Sequence, residues 1–200
     1  MTVFKEFDAV TNGKYAVGRQ IGRGTQGEVF ELLSDSDRVL KCAYLDSDVS
    51  HTVEKNESIK KSFLAVMKYL KHYQHSCFLK VYDYGVVDAR KIPNAKSGRI
   101  HISFSIVERL KKLEPREEYL FDTIEPYTQK RSTDFEKVRR MIRDHASLYE
   151  MNLDTEKLMN FYNKLICAPV NHNDMCGSNF MKNTAGDYKA IDLDRATMMY

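Results

Sequence analysis

The spacing of apolar positions changes period several times along the chain, and those changes mark out its elements. After a lead-in to about Gly13, Tyr15 to Ile21 reads as a strand and Glu28 to Leu33 is extended. Ser34 to Asp37 then turns, and Arg38 to Ala43 is the next strand. From Val53 to Tyr73 the period becomes helical: Ile59, Phe63, Val66, Met67 and Leu70 share one stripe, with Lys60, Lys61, Lys68 and Lys71 mostly opposite. Phe78 to Val87 and Ile100 to Val107 predict two more antiparallel strands, joined by the turn-rich Ala89 to Gly98. Lys111 to Arg131 is polar, contains Pro115 and Pro126, and predicts a loop with a short helix.

Two helices follow. Asp134 is the N-cap of one running to about Met151, with Phe135, Val138, Met141, Ile142 and Leu148 facing inward. Asp154 or Thr155 caps the next, whose inner residues are Leu158, Phe161, Leu165 and Ile166 and which Pro169 stops. Val170 to Asp174 then reads as a strand end breaking into a loop, and Asn179 to Met181 as a short strand. Asn183 to Asp187, with Gly186, is a hairpin turn, and Tyr188 to Ile191 is the return strand. The pattern predicts an α+β protein, strand-rich first and helical later.

Composition narrows the function classes. Two hundred residues with 42% hydrophobic content can bury a core as one domain or two small lobes. The net charge of +3 is spread along the chain, so the composition suggests neither a nucleic acid nor a membrane partner. Cys42, Cys77, Cys167 and Cys176 form no C-x-x-C pair, which fits a reducing, cytoplasmic setting. The opening M-T-V-F-K-E-F-D is not a signal peptide, and no apolar run is long enough for a membrane span. His72, His75 and Cys77 straddle a helix end without a fourth ligand and read as solvated side chains.

Three segments carry chemistry. In the first, V-N-H-N-D-M-C-G-S-N-F followed by the hairpin to A-I-D-L-D, the loop puts Asp174 and Asn179 at one hairpin end and the return strand delivers Asp192 to the same end. One carboxylate is then free as a base, while an amide and a second carboxylate offer hard oxygen ligands to Mg²⁺. The second is I-G-R-G-T-Q-G-E-V, residues 21 to 29, a G-x-G-x-x-G-x-V hairpin between strands rather than ahead of a helix. Its glycines let backbone N–H groups approach nucleotide phosphates. The third is Lys41, a lone cation in the strand V-L-K-C-A directly after that hairpin.

Together these segments resemble the protein-kinase-like superfamily. His172-Asn173-Asp174 sits where that family has H-R-D, and Asn179, five residues on, where it has the catalytic-loop Asn. Asp192, eighteen residues after Asp174, falls at the Asp of D-F-G, and Lys41 at the V-A-I-K lysine. The resemblance implies a bilobal fold with residues 1–110 as N-lobe and 111–200 as C-lobe, binding ATP and Mg²⁺. Asp174 would orient and deprotonate the acceptor hydroxyl, and Asn179 and Asp192 would hold Mg²⁺. Lys41 would hold the α/β-phosphates, while Ile21, Gly22, Gly24, Gly27 and Val29 would cover the nucleotide. The hinge would be Ile106 to Leu110, with Glu108 and Leu110 meeting adenine through main chain. The family's helix glutamate would be Glu57 or Glu54, Glu57 being preferred, although registering the helix on the apolar run after it puts that position near Phe63.

There are departures. Asn173 stands for the H-R-D Arg, Leu193-Asp194 replaces Phe-Gly, and the sequence stops eight residues after Asp192. The expectation is a minimal, C-terminally truncated Ser/Thr kinase of phage or bacterial-effector type, without activation loop or later helices and not regulated by loop phosphorylation. It would act on host proteins, with an activating host protein as a further partner. Asp192 and Asp194, two apart on an extended segment, would project to one side, with Asp194 pairing with Arg195 or a nearby lysine. Two rivals stay open: a small-molecule phosphotransferase of the choline or aminoglycoside kinase kind, and a non-catalytic nucleotide- or partner-binding module.

Overall fold

Residues 11, 13–24, 27–45, 53–92 and 98–199 are described by a computed structural model. The chain divides into two compact units, Met1–Gln74 with Lys80–Arg109, and His75–Leu79 with Leu110–Tyr200. The fold is α+β, with a five-stranded antiparallel sheet and, among the described residues, four α-helices.

In the first unit the strands are β1 (Val17–Arg23), β2 (Gly27–Leu32), β3 (Asp35–Tyr44), β4 (Val81–Asp88) and β5 (His101–Glu108), in spatial order β1-β2-β3-β5-β4. Alternation works as expected for a pleated strand. Phe30, Leu32, Leu40, Cys42, Tyr44, Ile102 and Ile106 build one apolar core, closed by Ala89 and Ile92. The β2–β3 connection is tighter than predicted, with only Leu33 and Ser34 turning and the ladder already formed at Asp35↔Leu32. Asp35 and Asp37 do not prolong the turn, because the Asp35 side chain accepts the Asp37 N–H at the strand start. Of the predicted turn Ala89–Gly98, residues 89–91 form a 3₁₀ turn and residues 93–97 lie outside the described set, as do the lead-in to residue 10 and Thr25-Gln26 of the glycine loop.

Helix α1 (Val53–Tyr73) packs against β4 and buries Phe63, Val66, Met67 and Leu70. A partly exposed cluster of ion pairs and a hydrogen bond gathers on Asp83. Asp83 of β4 accepts from Lys14 at 2.8 Å, Tyr15 at 2.5 Å and Lys71 at 3.2 Å. Burial alone would raise the Asp83 carboxyl, but these three hydrogen bonds outweigh it and hold it well below the usual carboxylate range.

The second unit contains β6 (Lys111–Lys112), α2 (Pro115–Gln129), α3 (Phe135–Leu148), α4 (Thr155–Cys167), β7 (Val170–Asn171), β8 (Phe180–Lys182), β9 (Tyr188–Ala190) and β10 (Thr197–Met198). Where a loop with a short helix was expected, α2 is a full 15-residue helix. Pro115 starts it at the first turn, where its missing N–H leaves no bond unmade, and Glu114 and Glu117 form a capping box around it. Asp134 and Asp154 cap α3 and α4 as predicted, accepting the Lys137 and Lys157 N–H groups. Leu148, expected inward, is 74% exposed because α3 ends there and its last turn runs past the core.

Phe78 does not begin β4. It forms a bridge to Ala190, and Ala190 donates its N–H to Cys77 O at 2.8 Å while Leu79 donates to Ala190 O at 3.2 Å. Residues 75–79 thus extend the β9 edge, which explains why Cys77 and Phe78 are fully buried rather than solvated. Burial pushes the Cys77 thiol up to about 12. The core of this unit is aromatic: Phe121 stacks on Phe180 at 4.2 Å, with Phe161 and Tyr188 edge-on or tilted around them. No helix among the described residues is long and apolar enough to cross a membrane.

Candidate functional site

In the first unit, the glycine segment is the β1–β2 hairpin end, closed by a Gly24 N–H to Gly27 O bond of 2.8 Å. The glycines have different reasons to be there. A Cβ on Gly27 would sit 2.6 Å from Cys42 O on β3, so Gly27 is demanded by the sheet itself. Among the described residues, a Cβ on Gly24 would meet nothing nearer than Gly27 O at 3.9 Å, and at Gly22 the nearest atoms are those of Val29 at 3.5 Å. At these two positions the missing side chain leaves room, as close approach to a phosphate needs. Ile21 is 40% exposed.

Lys41 lies in the middle of β3, paired with Val29 on one side and Ser105 on the other. Directly opposed residues project to the same side of a sheet, so Val29, Lys41 and Ser105 share a face. Leu40 and Cys42 point the other way, into the apolar core. Lys41 is therefore half-buried on the opposite face, which it shares with the buried Val39, Ala43 and Val107. Glu57 is held elsewhere, accepting from Lys60 at 3.2 Å and lying 3.2 Å from His101 Nε2. Lys60 accordingly lowers the Glu57 carboxyl, and Glu54 is exposed. The preferred Glu57–Lys41 pair is not the one formed: Glu57 sits in the second turn of α1, where an i,i+3 lysine on its own helix is the nearer cation. Glu108, ending β5, accepts the Lys80 N–H through Oε1 at 2.7 Å and donates its own N–H to Lys80 O at 3.1 Å. Leu110 is half-buried at the start of the second unit's long segment.

In the second unit the catalytic-type residues are held by backbone bonds. His172 is fully buried and its Nε2–H donates to the Ile191 carbonyl. Asn173 adopts φ +64°, a left-handed conformation that Asn tolerates, and its Nδ2 donates to Arg195 O at 2.9 Å and Thr197 Oγ1 at 3.3 Å. Asp174 is exposed, and its carbonyl accepts from Asn179 Nδ2 at 3.0 Å. Asn179 ends a 3₁₀ turn, Gly177–Asn179, and its carbonyl accepts the Ile191 N–H at 2.9 Å. Residues around Asp174 are thus bonded to Ile191, directly before Asp192, and to Arg195, three residues after it, which brings Asp174, Asn179 and Asp192 to the same hairpin end.

Asp192 itself is exposed and left-handed, φ +59° and ψ 54°. The extended geometry expected for Asp192 to Asp194 is not formed. Leu193–Arg195 is a 3₁₀ turn, because buried Leu193 must point inward directly after the hairpin, so Asp192 and Asp194 do not alternate as on a strand. β10 then returns along β7, with Thr197 opposite Asn171.

Three features of this site left no local trace in the sequence. Asn173 does not wait for a loop phosphate; it ties down the chain beyond Asp192. Glu117 of α2 is buried and accepts from Lys182 of β8 and from Tyr188 OH at 3.0 Å, so burial and the Glu117 charge raise the Tyr188 phenol. Asp122 accepts the Gly177 N–H at 2.5 Å. These partners are 22 to 71 residues apart, and helical periodicity alone marks Glu117 and Asp122 only as polar helix positions.

Chemically, Asn179 Nδ2 is spent on the Asp174 carbonyl, which leaves Oδ1 as the atom able to meet a cation. With the exposed Asp192 carboxylate this makes a sparse pair of hard oxygens, and among the described residues no three His, Cys, Asp or Glu side chains gather into a metal site. Such a pair suits Mg²⁺ that keeps several waters and arrives on a phosphate ligand, rather than a metal caged by protein alone. Burial raises the neighbouring Cys176 thiol, which keeps it neutral and a poor nucleophile. No protein-family model matches the chain, and no curated protein matches its sequence.

Proposed function

We propose that this chain is an ATP-dependent protein kinase of the protein-kinase-like superfamily, with the five-stranded unit as N-lobe and the helical unit as C-lobe. It transfers the γ-phosphoryl group of ATP to Ser or Thr side chains of cytoplasmic proteins. The observation that carries the reading is the stitched loop of the second unit. The Asn179 amide bonds the Asp174 carbonyl, the Asn179 carbonyl takes the Ile191 N–H, and the Ile191 carbonyl takes the His172 ring N–H. That lattice leaves two exposed carboxylates and one amide oxygen at one hairpin end, which is the donor set phosphoryl transfer requires.

In this reading Asp174 accepts the proton of the acceptor hydroxyl as its oxygen bonds to the γ-phosphorus, and the bond to the β–γ bridging oxygen breaks to release ADP. Mg²⁺, when bound, neutralises charge on the phosphates; Asn179 Oδ1 and the Asp192 carboxylate are the groups that would hold it. Lys41 holds the α/β-phosphates, and the hairpin Gly22 to Gly27 covers them with backbone N–H groups. Such catalysis is mostly positioning and charge stabilisation, so rigid placement of a few groups is sufficient.

The occupied state of Glu57 favours a second reading, a nucleotide-binding module without transfer activity, since the lysine–glutamate ion pair of active kinases is not made by that residue. Incubation with γ-labelled ATP, Mg²⁺ and a cytosolic extract, beside an Asp174→Ala control, separates the two. Label on this chain or on extract proteins that is lost in the control supports the kinase. Nucleotide-dependent thermal stabilisation without transfer supports the binding module and overturns the kinase.

A further inference from the structure

We propose that Asp122 of α2 is the positioning residue of the Asp174–Asn179 loop, acting through the Gly177 amide. The inference rests on the kinase reading for its catalytic consequence, and on the geometry of the second unit alone for the anchor itself. Asp122 Oδ1 accepts the Gly177 N–H at 2.5 Å, a charge-assisted bond to main chain across 55 residues of sequence. Four residues earlier on the same helix, the Glu118 carbonyl oxygen lies 2.1 Å from where a Gly177 Cβ would be. One helix face therefore both receives the Gly177 backbone in close contact and holds its N–H.

Phe121, between those two residues, stacks its ring on Phe180 at 4.2 Å. Gly177 and Phe180 bracket Asn179, so the residue offered to a cation is pinned on both sides to about one turn of α2, through Glu118, Phe121 and Asp122. Asn179 passes that position on, bonding the Asp174 carbonyl through its amide and Ile191, beside Asp192, through its carbonyl. Phe180 is buried by its ring and would stay in place without Asp122. The Gly177 end of the turn has no ring to bury and depends on the carboxylate. Asp122 touches neither nucleotide nor acceptor; it acts by fixing the loop.

The test compares wild type, Asp122→Ala and Asp122→Asn, in which an amide oxygen can still accept the Gly177 N–H. Steady-state transfer kinetics are measured together with the Gly177 amide proton shift and its hydrogen exchange. Asp122→Ala is expected to lower kcat by about 10–100-fold, the range seen when outer-shell supports of a site are removed, with KM for ATP within about threefold. The Gly177 amide should move upfield and exchange at least about tenfold faster, with the change confined to residues 175–180. Asp122→Asn should recover most of kcat and most of the amide shift.

Wild-type kcat in Asp122→Ala, or a Gly177 amide that does not move, overturns the anchor. So does faster exchange spread through α2, α3 and α4 that Asn fails to rescue, because that is general destabilisation. Wild-type protein that transfers no phosphoryl overturns the kinase reading and the catalytic consequence with it; the anchor is then judged by the amide measurements alone, so the two failures are told apart.

Discussion

Replacing Gly177 by alanine tests how tightly the candidate loop is seated on α2. The added Cβ would lie 2.1 Å from the Glu118 carbonyl oxygen, 2.8 Å from its carbon and 2.9 Å from Asp122 Oδ1, whereas ordinary contact begins at 3.4 Å. The shortfall is 1.3 Å against the backbone oxygen, and a helix carbonyl cannot rotate away as a side chain end can. The loop must retreat. Overpacking of this kind costs about 1–3 kcal/mol. Retreat also stretches the 2.5 Å bond to Asp122, and a bond to a charged group contributes about 1.5–3 kcal/mol.

Because the bond is weakened rather than removed, a combined loss of about 3 kcal/mol is expected. At about 2–4 °C per kcal/mol for a chain of this size, the melting temperature should fall by roughly 6–12 °C. The assay is calorimetric or circular-dichroism melting, with phosphoryl transfer measured well below the transition. A loop displaced by about 1 Å should also lose on the order of a hundredfold in transfer rate. A melting temperature within about 2 °C of wild type with normal transfer would refute the close approach of Gly177 to α2 and every positional argument that rests on it.

Asp192 separates chemistry from fold in the opposite direction. Since its φ is +59°, Asp192→Gly should melt within about 1 kcal/mol of wild type while Asp192→Ala loses about 1–2 kcal/mol, and both should abolish transfer; an unfolded Asp192→Gly protein would count against this. Asp83 has a folded pKa held below its unfolded value by Lys14, Tyr15 and Lys71, against the opposing effect of burial. Its contribution is therefore fully present above about pH 4 and is lost as pH falls further. Acid melting curves of Asp83→Asn should be flatter than wild type below about pH 4, and parallel curves would disprove the coupling. Among the thiols, Cys167 is exposed while Cys42 and Cys77 are buried. Alkylation at neutral pH should modify Cys167 first and the buried pair only on unfolding, which mass mapping of the modified peptides would show.

Local order was legible wherever a residue acts on its own neighbours. The helix of residues 53–73, the caps at Asp134 and Asp154, the Gly186 hairpin and the strand of Lys41 each follow from a period or a turn within a few residues. The candidate site was legible to the same extent. The residue types and spacing of Asp174, Asn179 and Asp192 are local facts, and the hairpin that joins them is a local turn. Prolines misled where position within a helix mattered more than presence: Pro115 at the first turn favours α2 instead of breaking it.

What tertiary structure decided is every partner that lies far along the chain. The approach of Glu57 to His101, the transfer of Phe78 to the β9 edge, the clamp from Asn173 to Arg195 and the bond from Asp122 to Gly177 depend on which surfaces meet. Buried N–H, C=O and carboxylate groups must find partners, and only the packed chain determines which are within reach. The sequence thus supplied the reactive groups and their local frame. Packing alone set which helix holds that frame still.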